Sequence, residues 1–340
     1  MTRSDIRLAL PSKGALQLEA LELMAECGLK VFRPNPRQYK ATIPTLPGVT
    51  VMFQRPGDIV VGVRQGSIDF GITGLDIIAE KGAVNGSQPI LTLHEALGFG
   101  PCTLNLAVPE ETPVRSMADL RDWAAELERD GRSLRIATKF PNATGRFLDQ
   151  HAITAYKLID AEGTLEIAPD IGFADLISDL VSSGTTLRDN HLRPLTDGLV
   201  LESQAALIAN RQALQQRPEV RAVARQMLEY IEAHLRAQGS YLIIANVRGE
   251  SPQAISRQMA GRPFIGGLQG PTIAAIVPPT DTGETWYSVS IVVGKGNLVP
   301  AIAELRAIGG SGVIVTPITY IFEEEPARYK AMLAALEEDF

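Results

Sequence analysis

The feature that most constrains this chain is the repeated alternation of short apolar runs with amphipathic stretches. "DIRLALP" has the pattern of a buried strand, ending at "PSKG". "ALQLEALELMAECG" follows with helical apolar spacing at Leu18, Leu21 and Ala25, and Gly28 is placed to cap it. "VTVMFQ" is strand-like, "PGDIVVGVRQG" helix-like, "IDFGITG" a strand ending in glycines, and "LDIIAEKG" the start of a helix. Strands and helices alternating at this spacing predict an α/β sheet with several parallel strands.

The alternation then repeats. "CTLNLAVP" is predicted as a strand, "MADLRDWAAELERDG" as an amphipathic helix, "LRIATKFP" as a strand and "NATGRFLDQHAI" as a helix. "TLEIAP" is predicted as a strand, "GFADLISDLVSSG" as a helix, and "GLVLESQAALIANR" as a return to strand and helix. This second unit is inserted between Pro101 and about Leu195, so residues 1–100 and 196–238 form one lobe and 101–195 the other. "PEVRAVARQMLEYIEAHLRAQG" has the pattern of a connecting helix. From Ser240 the order becomes β-α-β-β-α-β, the ferredoxin-like plan, which makes 239–340 a separate small domain. "ESP" supplies an N-cap and a first-turn proline to its first helix.

Bulk numbers limit the function classes. A chain of 340 residues with 45% hydrophobic and 21% charged residues is expected to bury a sizeable core. A net charge of −7 argues against wholesale nucleic-acid binding. The N-terminal apolar run is too short for a signal peptide, and no window approaches the ~18 apolar residues of a membrane span. Cys27 and Cys102 form no C-x-x-C pair, so buried free thiols in a reducing cytosol are expected. His94, His151, His191 and His234 lack metal-ligand spacing.

The stretch richest in chemistry is "DLVSSGTTLRDNHL". Ser182, Ser183, Thr185 and Thr186 surround Gly184, and backbone N–H groups at such a turn form an anion-binding nest. Hydroxyls add donors without net charge, and glycine allows close backbone approach. Asp179, just ahead of the turn, suits ribose hydroxyls, which donate to a carboxylate. Acid plus hydroxyl-rich turn fits a sugar phosphate; the alternative is a polar helix end capped by Ser and Gly. Lys13 in "LPSKGAL" and Arg55 in "FQRPGDI" can neutralise a polyphosphate, or simply be solvated. "DFGITGLD" sets Gly71 and Gly74 after a strand and Asp76 at a helix start, the end of an α/β sheet where ligands bind, although a tight turn needs the same residues. "ATKFPNAT" combines a strand end, a lysine and a helix cap.

Taken in order, "LALPSKGAL", "RPGDIVVGVRQGSIDFGITGLD", "RIATKFPNAT", "LEIAPDIGFADLISDLVSSGTTL" and "LESQAALI" closely resemble the ATP phosphoribosyltransferase family, over nearly all of residues 5–210. Glu166 to Leu187 resembles the family's signature, and "GGLQGPTIAAI" and "ELRAIGGSGVIVTPI" resemble the regulatory domain of its long form. The resemblance implies a two-lobed, periplasmic-binding-protein-like catalytic part with a cleft, followed by a ferredoxin-like (βαββαβ) regulatory domain. It implies that adenine N1 of ATP attacks the ribose C1 of phosphoribosyl pyrophosphate (PRPP) and that pyrophosphate leaves. Mg2+ is implied as the cofactor, held mainly by substrate phosphates. By the same resemblance Ser182, Ser183, Gly184, Thr185 and Thr186 cradle the PRPP 5′-phosphate, and Asp179 takes its ribose hydroxyls. Glu166 is a further ribose or metal contact, and Lys13 and Arg55 meet pyrophosphate or triphosphate. Gly71, Thr73, Gly74 and Asp76, with Thr138, Lys139 and Phe140, line the nucleotide side.

Histidine, as inhibitor, would bind the C-terminal domain near Leu268, Gly270, Thr272 and Gly312; the alternative is a domain that only builds the oligomer. The resemblance further implies a cytoplasmic homo-hexamer in exchange with dimers that needs no separate regulatory subunit and binds neither nucleic acid nor membrane. Two other readings remain open on the residues alone. One is a non-catalytic, two-lobed ligand sensor; the other is a phosphoribosyltransferase with a different acceptor base.

Overall fold

The structure, a computed structural model, describes residues 5–35, 37–83, 88–161, 163, 165–277 and 284–337. The chain makes two compact units. One holds the residues up to Leu228 together with those from Pro326 on, and the other is Glu229–Glu325.

The first unit opens with β1 (Ile6–Pro11), α1 (Ala15–Glu26), β2 (Lys40–Thr42), β3 (Val49–Gln54), α2 (Pro56–Arg64), β4 (Phe70–Gly74), α3 (Leu75–Lys81) and β5 (Ile90–His94). β1 lies between two parallel neighbours, β3 and β4, and its Leu8, Ala9 and Leu10 are fully buried. A strand covered on both faces has no polar side to present, which is why "LALP" does not alternate.

The second lobe follows as β6 (Cys102–Pro109), α4 (Met117–Arg129), β7 (Leu134–Thr138), α5 (Pro141–Gln150), β8 (Tyr156–Asp160), β9 (Leu176–Val181), α6 (Thr185–Asp189) and β10 (Leu192–Ser203). Its sheet runs β10-β6-β9-β7-β8, with β7 parallel to both β8 and β9. α4 shows how directly sequence can write a helix. Ser116 Oγ accepts from the Asp119 amide at 3.2 Å, the Asp119 carboxylate accepts from the Ser116 amide at 3.0 Å, and Met117, Leu120, Ala124 and Leu127 form its buried face. The chain then returns to the first sheet as β11 (Ala205–Asn210), which completes the order β2-β3-β1-β4-β11-β5. α7 (Arg211–Gln216) and α8 (Pro218–Ala237) follow.

The second unit contains β12 (Ser240–Arg248), α9 (Pro252–Met259), β13 (Thr272–Ala275), β14 (Trp286–Gly294), α10 (Leu298–Ala307) and β15 (Gly310–Pro317). Its sheet is antiparallel, in the order β13-β14-β12-β15. Ile255, Met259, Ala301 and Leu305 of the two helices pack with Ile243, Ala245, Val247, Val289 and Ile291 in one core. Ser251 caps α9, accepting from the Ala254 amide at 3.1 Å. α11 (Ala327–Glu337) belongs to the first unit.

Four sequence expectations are corrected. "GFADLISDLVSSG" contains a strand rather than a helix: Leu176, Ile177 and Ser178 are fully buried in β9, between β6 and β7. Its apolar residues mimic helical spacing because a central strand buries both faces. "TLEIAP" holds a single 3-10 turn, Leu165–Ile167, rather than a strand; the sheet ends at β8, and the Ala168 amide bonds back to the Leu165 carbonyl at 2.9 Å. The second lobe extends past Leu195, because β10 pairs with β6 as far as Ser203 opposite Cys102. The segment from Pro326, expected with the C-terminal domain, packs on the first lobe instead, where Arg328 pairs with Glu95 at 2.6 Å and Arg211 donates to the Ala335 carbonyl at 2.8 Å. Of the two free thiols, Cys27 is buried and Cys102 only half-buried. Among the described residues no helix is long and apolar enough to cross a membrane.

Candidate functional site

β9 delivers the hydroxyl-rich turn. The strand ends at Val181, the turn runs through Ser182, Ser183 and Gly184, and α6 starts at Thr185. Gly184 sits in the left-handed region at φ +71°, where an L side chain is strained. Its Cα side is open: an added Cβ would meet nothing nearer than Val181 Cγ1 at 3.9 Å. The turn is organised from within. Ser183 Oγ donates to Thr185 Oγ1 at 3.1 Å and accepts from the Thr185 amide at 3.4 Å. A cavity of about 140 Å³ opens against it, and its lining includes Glu166, Asp179, Ser182, Ser183, Gly184 and Thr186. Thr185 is not among its lining residues.

Asp179 is half-buried, and its Oδ1 accepts from the Leu180 amide at 2.8 Å. Burial pushes its carboxyl above the usual aspartate value; the Leu180 amide and Lys139 oppose this, and Glu166 adds to it. Two carboxylates and one lysine therefore share one electrostatic neighbourhood at the C-terminal ends of β7 and β9. This acid-rich pocket disfavours a bare anion deep inside and favours a group that offers hydroxyl donors to the carboxylates. Lys139 itself is exposed. Its neighbours point inward: Thr138 is fully buried with its Oγ1 accepting from the Phe140 amide at 2.9 Å, and Phe140 is buried.

In the first lobe, Lys13 and Arg55 are exposed just after the C-terminal ends of the parallel strands β1 and β3, the ends at which α/β sheets bind ligands. Gly71, Thr73, Gly74 and Asp76 are all buried. A Cβ on Gly71 would lie 2.4 Å from Ile59 Cγ2, so close packing of α2 accounts for that glycine. The Asp76 carboxylate accepts from Ser203 Oγ at 2.7 Å, and Ser203 Oγ accepts from the Asp76 amide at 2.9 Å. That pair ties the start of α3 to the end of the crossing strand β10. A larger cleft of about 570 Å³ lies beside it, bounded by Leu75 and Glu95 of one lobe, Val181 and Ser182 of the other, and Cys102 and Ser203 of the crossing strands. Burial raises the Cys102 thiol above its ordinary value.

Sequence reasoning missed Ser203, which stands in the quoted "LESQ", and Glu80, whose role depends on a partner 62 residues away. It missed Thr144 and Ser178 as well, whose hydroxyls lie 2.8 Å apart in the core behind Asp179. In the second unit, Leu268, Gly270 and Thr272 line a cavity of about 470 Å³ with Arg236 and Glu323, whereas Gly312 is not among its lining. Gly312 is a positive-φ position at +58° on β15. Among the described residues no group of three or more His, Cys, Asp or Glu side chains is placed to hold a metal ion.

Fold and geometry define a class: a two-lobed α/β protein, its lobes joined by crossing strands, with a polar cavity at the strand ends. The ATP phosphoribosyltransferase family profile matches residues 55–233, and the HisG C-terminal domain profile matches 237–320. Over 98% of its length the chain is 43% identical to ATP phosphoribosyltransferase 2, chloroplastic, of Arabidopsis thaliana, spanning 81% of that protein. It is 33% identical to an ATP phosphoribosyltransferase of Methanothermobacter thermautotrophicus, covering 93% of this chain and 99% of that one. The ATP phosphoribosyl transferase (HisG:HisZ) complex from Thermotoga maritima superposes with a TM-score of 0.52 at 23% identity, covering 67% of this chain and 98% of the matched one, a likeness of fold. The chain belongs to the ATP phosphoribosyltransferase family, in its long form with a C-terminal regulatory domain, and is a transferase enzyme.

Proposed function

We propose that the chain transfers the phosphoribosyl group of PRPP to N1 of ATP, the first step of histidine biosynthesis. The observation that carries this reading is the cavity that gathers Glu166, Asp179, Ser182, Ser183, Gly184 and Thr186 in a chain of this family. The turn's amides and hydroxyls hold the 5′-phosphate, and Asp179, with Glu166, accepts from the ribose hydroxyls. The C1–oxygen bond to pyrophosphate breaks with its electron pair leaving on pyrophosphate, while the bond from N1 to C1 forms. Positive charge grows on the ribose ring, which the two carboxylates stabilise, and negative charge grows on the leaving group. Lys13, Arg55 and Lys139 are the cations offered to it. No side chain acts as a covalent nucleophile, so the catalytic work is positioning and electrostatics.

Mg2+ fits this residue set in one way. It usually binds through one or two carboxylates plus substrate phosphates rather than an all-protein cage. Glu166 and Asp179 are such a pair, and the ion would neutralise polyphosphate charge. The buried Gly71, Thr73, Gly74, Asp76, Thr138 and Phe140 shape the nucleotide side from behind, leaving Lys139 to touch it. The second unit is a ferredoxin-like regulatory domain that binds histidine near Leu268, Gly270 and Thr272, between the Arg236 and Glu323 charges. The enzyme works in the cytoplasm as a homo-hexamer in exchange with dimers, without a separate regulatory subunit.

Pyrophosphate release from Mg2+, PRPP and ATP tests the reading directly. Release with another base but not ATP would move the acceptor assignment, and no release with any base would leave a ligand sensor. Millimolar histidine should slow release; an unchanged rate removes the inhibitor role.

A further inference from the structure

α3 directly follows the Gly74 turn of the first lobe, and α5 directly follows the Thr138–Phe140 loop of the second. The two helices are clasped end to end. The first amides of a helix need acceptors from elsewhere. Phe140, the N-cap of α5, supplies no side-chain acceptor, and Pro141 fills the first helical position. The acceptor comes from the other lobe. The Glu80 carboxylate, 7% exposed, takes the Asn142 amide at 3.1 Å on Oε1 and the Ala143 amide at 2.9 Å on Oε2.

The bonding is reciprocal. Asn142 Nδ2 donates to the Glu80 carbonyl at 3.0 Å, and Arg146 Nη2 donates to the Ala79 carbonyl at 2.7 Å. Those carbonyls belong to the last turn of α3, where no intrahelical donor remains. Behind α5, Thr144 bonds Ser178, the residue before Asp179 on β9. One continuous set of contacts thus runs from the first lobe, through the start of α5, to the strand that carries the ribose acid.

We infer that Glu80 is a positioning residue that sets the spacing between the two nucleotide-side loops, and so the aim of the acceptor base at the phosphoribosyl group. This rests on the transferase reading. Two charge-assisted bonds from a short, buried side chain leave little slack between α3 and α5. They also occupy the first amides of α5, so triphosphate must be held by exposed cations such as Lys139 rather than by that helix end. Asp at this position is one methylene too short to span both amides. Gln keeps the length but turns an amide donor toward one of them.

The test compares Glu80→Ala, Glu80→Gln and Arg146→Ala with the wild-type chain, by steady-state kinetics and by hydrogen exchange over residues 139–146. Glu80→Ala is expected to raise the KM for ATP about tenfold, to leave the KM for PRPP within about twofold, and to speed exchange at Asn142 and Ala143 about tenfold or more. Glu80→Gln should recover part of each effect, and Arg146→Ala should raise the ATP KM about threefold. A lower thermal midpoint with both KM values unchanged would reduce Glu80 to a structural cap and overturn the inference, as would an equal rise in both. Should Glu80→Ala fail to fold, Arg146→Ala decides on the same criteria. A wild-type chain that releases no pyrophosphate overturns the transferase reading and the nucleotide role with it, while the exchange arm still decides whether Glu80 clasps the lobes.

Discussion

The strand-to-helix passages β4–α3 and β9–α6 look alike in sequence and are built for different ends. Each ends a strand, carries glycine, threonine and aspartate, and leads into a helix. At the β4–α3 passage the polar side chains are spent inside the protein, Asp76 on Ser203 and the Thr73 hydroxyl on the Pro56 carbonyl at 3.4 Å. After β9 the Ser183 and Thr185 hydroxyls bond one another, and Ser182, Ser183 and Thr186 border a cavity. The glycines differ in the same way. Gly71 is required by space, because Ile59 presses against it, and Gly184 is required by φ, with open space above it. One passage is a joint inside the protein, and the other borders open space.

The comparison breaks most sharply at the two aspartates. Asp179→Asn should cost about a hundredfold or more in kcat/KM with the fold intact, since it weakens an interaction that grows in the transition state. Near-wild-type turnover would remove its ribose role. The same residue sets a pH dependence. Its folded pKa lies above the ordinary 3.8, so its contribution to stability is present in full below that value and lost as pH rises through the raised one. Under the proposed ribose role activity runs the other way, because the ionised form is the stronger acceptor for ribose hydroxyls. The kcat/KM for PRPP should therefore fall as pH drops through a value raised above that of an ordinary aspartate, and Asp179→Asn should lack that limb while being slightly more stable than wild type at neutral pH.

The glycines provide the next contrast. Gly71→Ala forces a methyl group into Ile59 and should destabilise the chain by about 1–3 kcal/mol in urea unfolding. Gly184→Ala makes only an ordinary contact with Val181 and should cost about 1 kcal/mol of backbone strain, with its main effect on the KM for PRPP. Equal losses of stability at both would erase the distinction between the two passages. The smallest effect concerns a single hydroxyl. Thr186→Val should raise the KM for PRPP about tenfold, the worth of one hydrogen bond to a charged group, and change that for ATP far less. Equal weakening of both substrates would count against the phosphate assignment.

Most of the fold could be read before any coordinates, and the exceptions share a cause. β3 and β6 have the expected limits, and β1, β4 and β7 fall within theirs, because short apolar runs bounded by Gly and Pro admit few other structures. β9 has helix-like spacing because, as a central strand, it is buried on both faces, and the 3-10 turn at Glu166 escapes notice because nothing in "TLEIAP" reveals that β8 already closes that edge of the sheet. The hydroxyl turn and the acid ahead of it are legible because they lie in one contiguous stretch of the chain. Glu80, Ser203 and the Thr144–Ser178 pair are not, since each acts through a partner distant in sequence.

The amino-acid sequence alone determined the alternation of strands and helices, the separate β-α-β-β-α-β segment, the family, and the residues of the hydroxyl-rich turn. All of these are set by local pattern or by contiguous motif. Only the tertiary structure decided that Gly71 serves packing while Gly184 serves a cavity, that β10 extends the second lobe to Ser203, that α11 returns to the first lobe, and that a carboxylate of one lobe caps a helix of the other. Those outcomes depend on which buried groups find one another across long stretches of chain. A buried donor or acceptor must be satisfied by whatever partner the packed fold brings within reach.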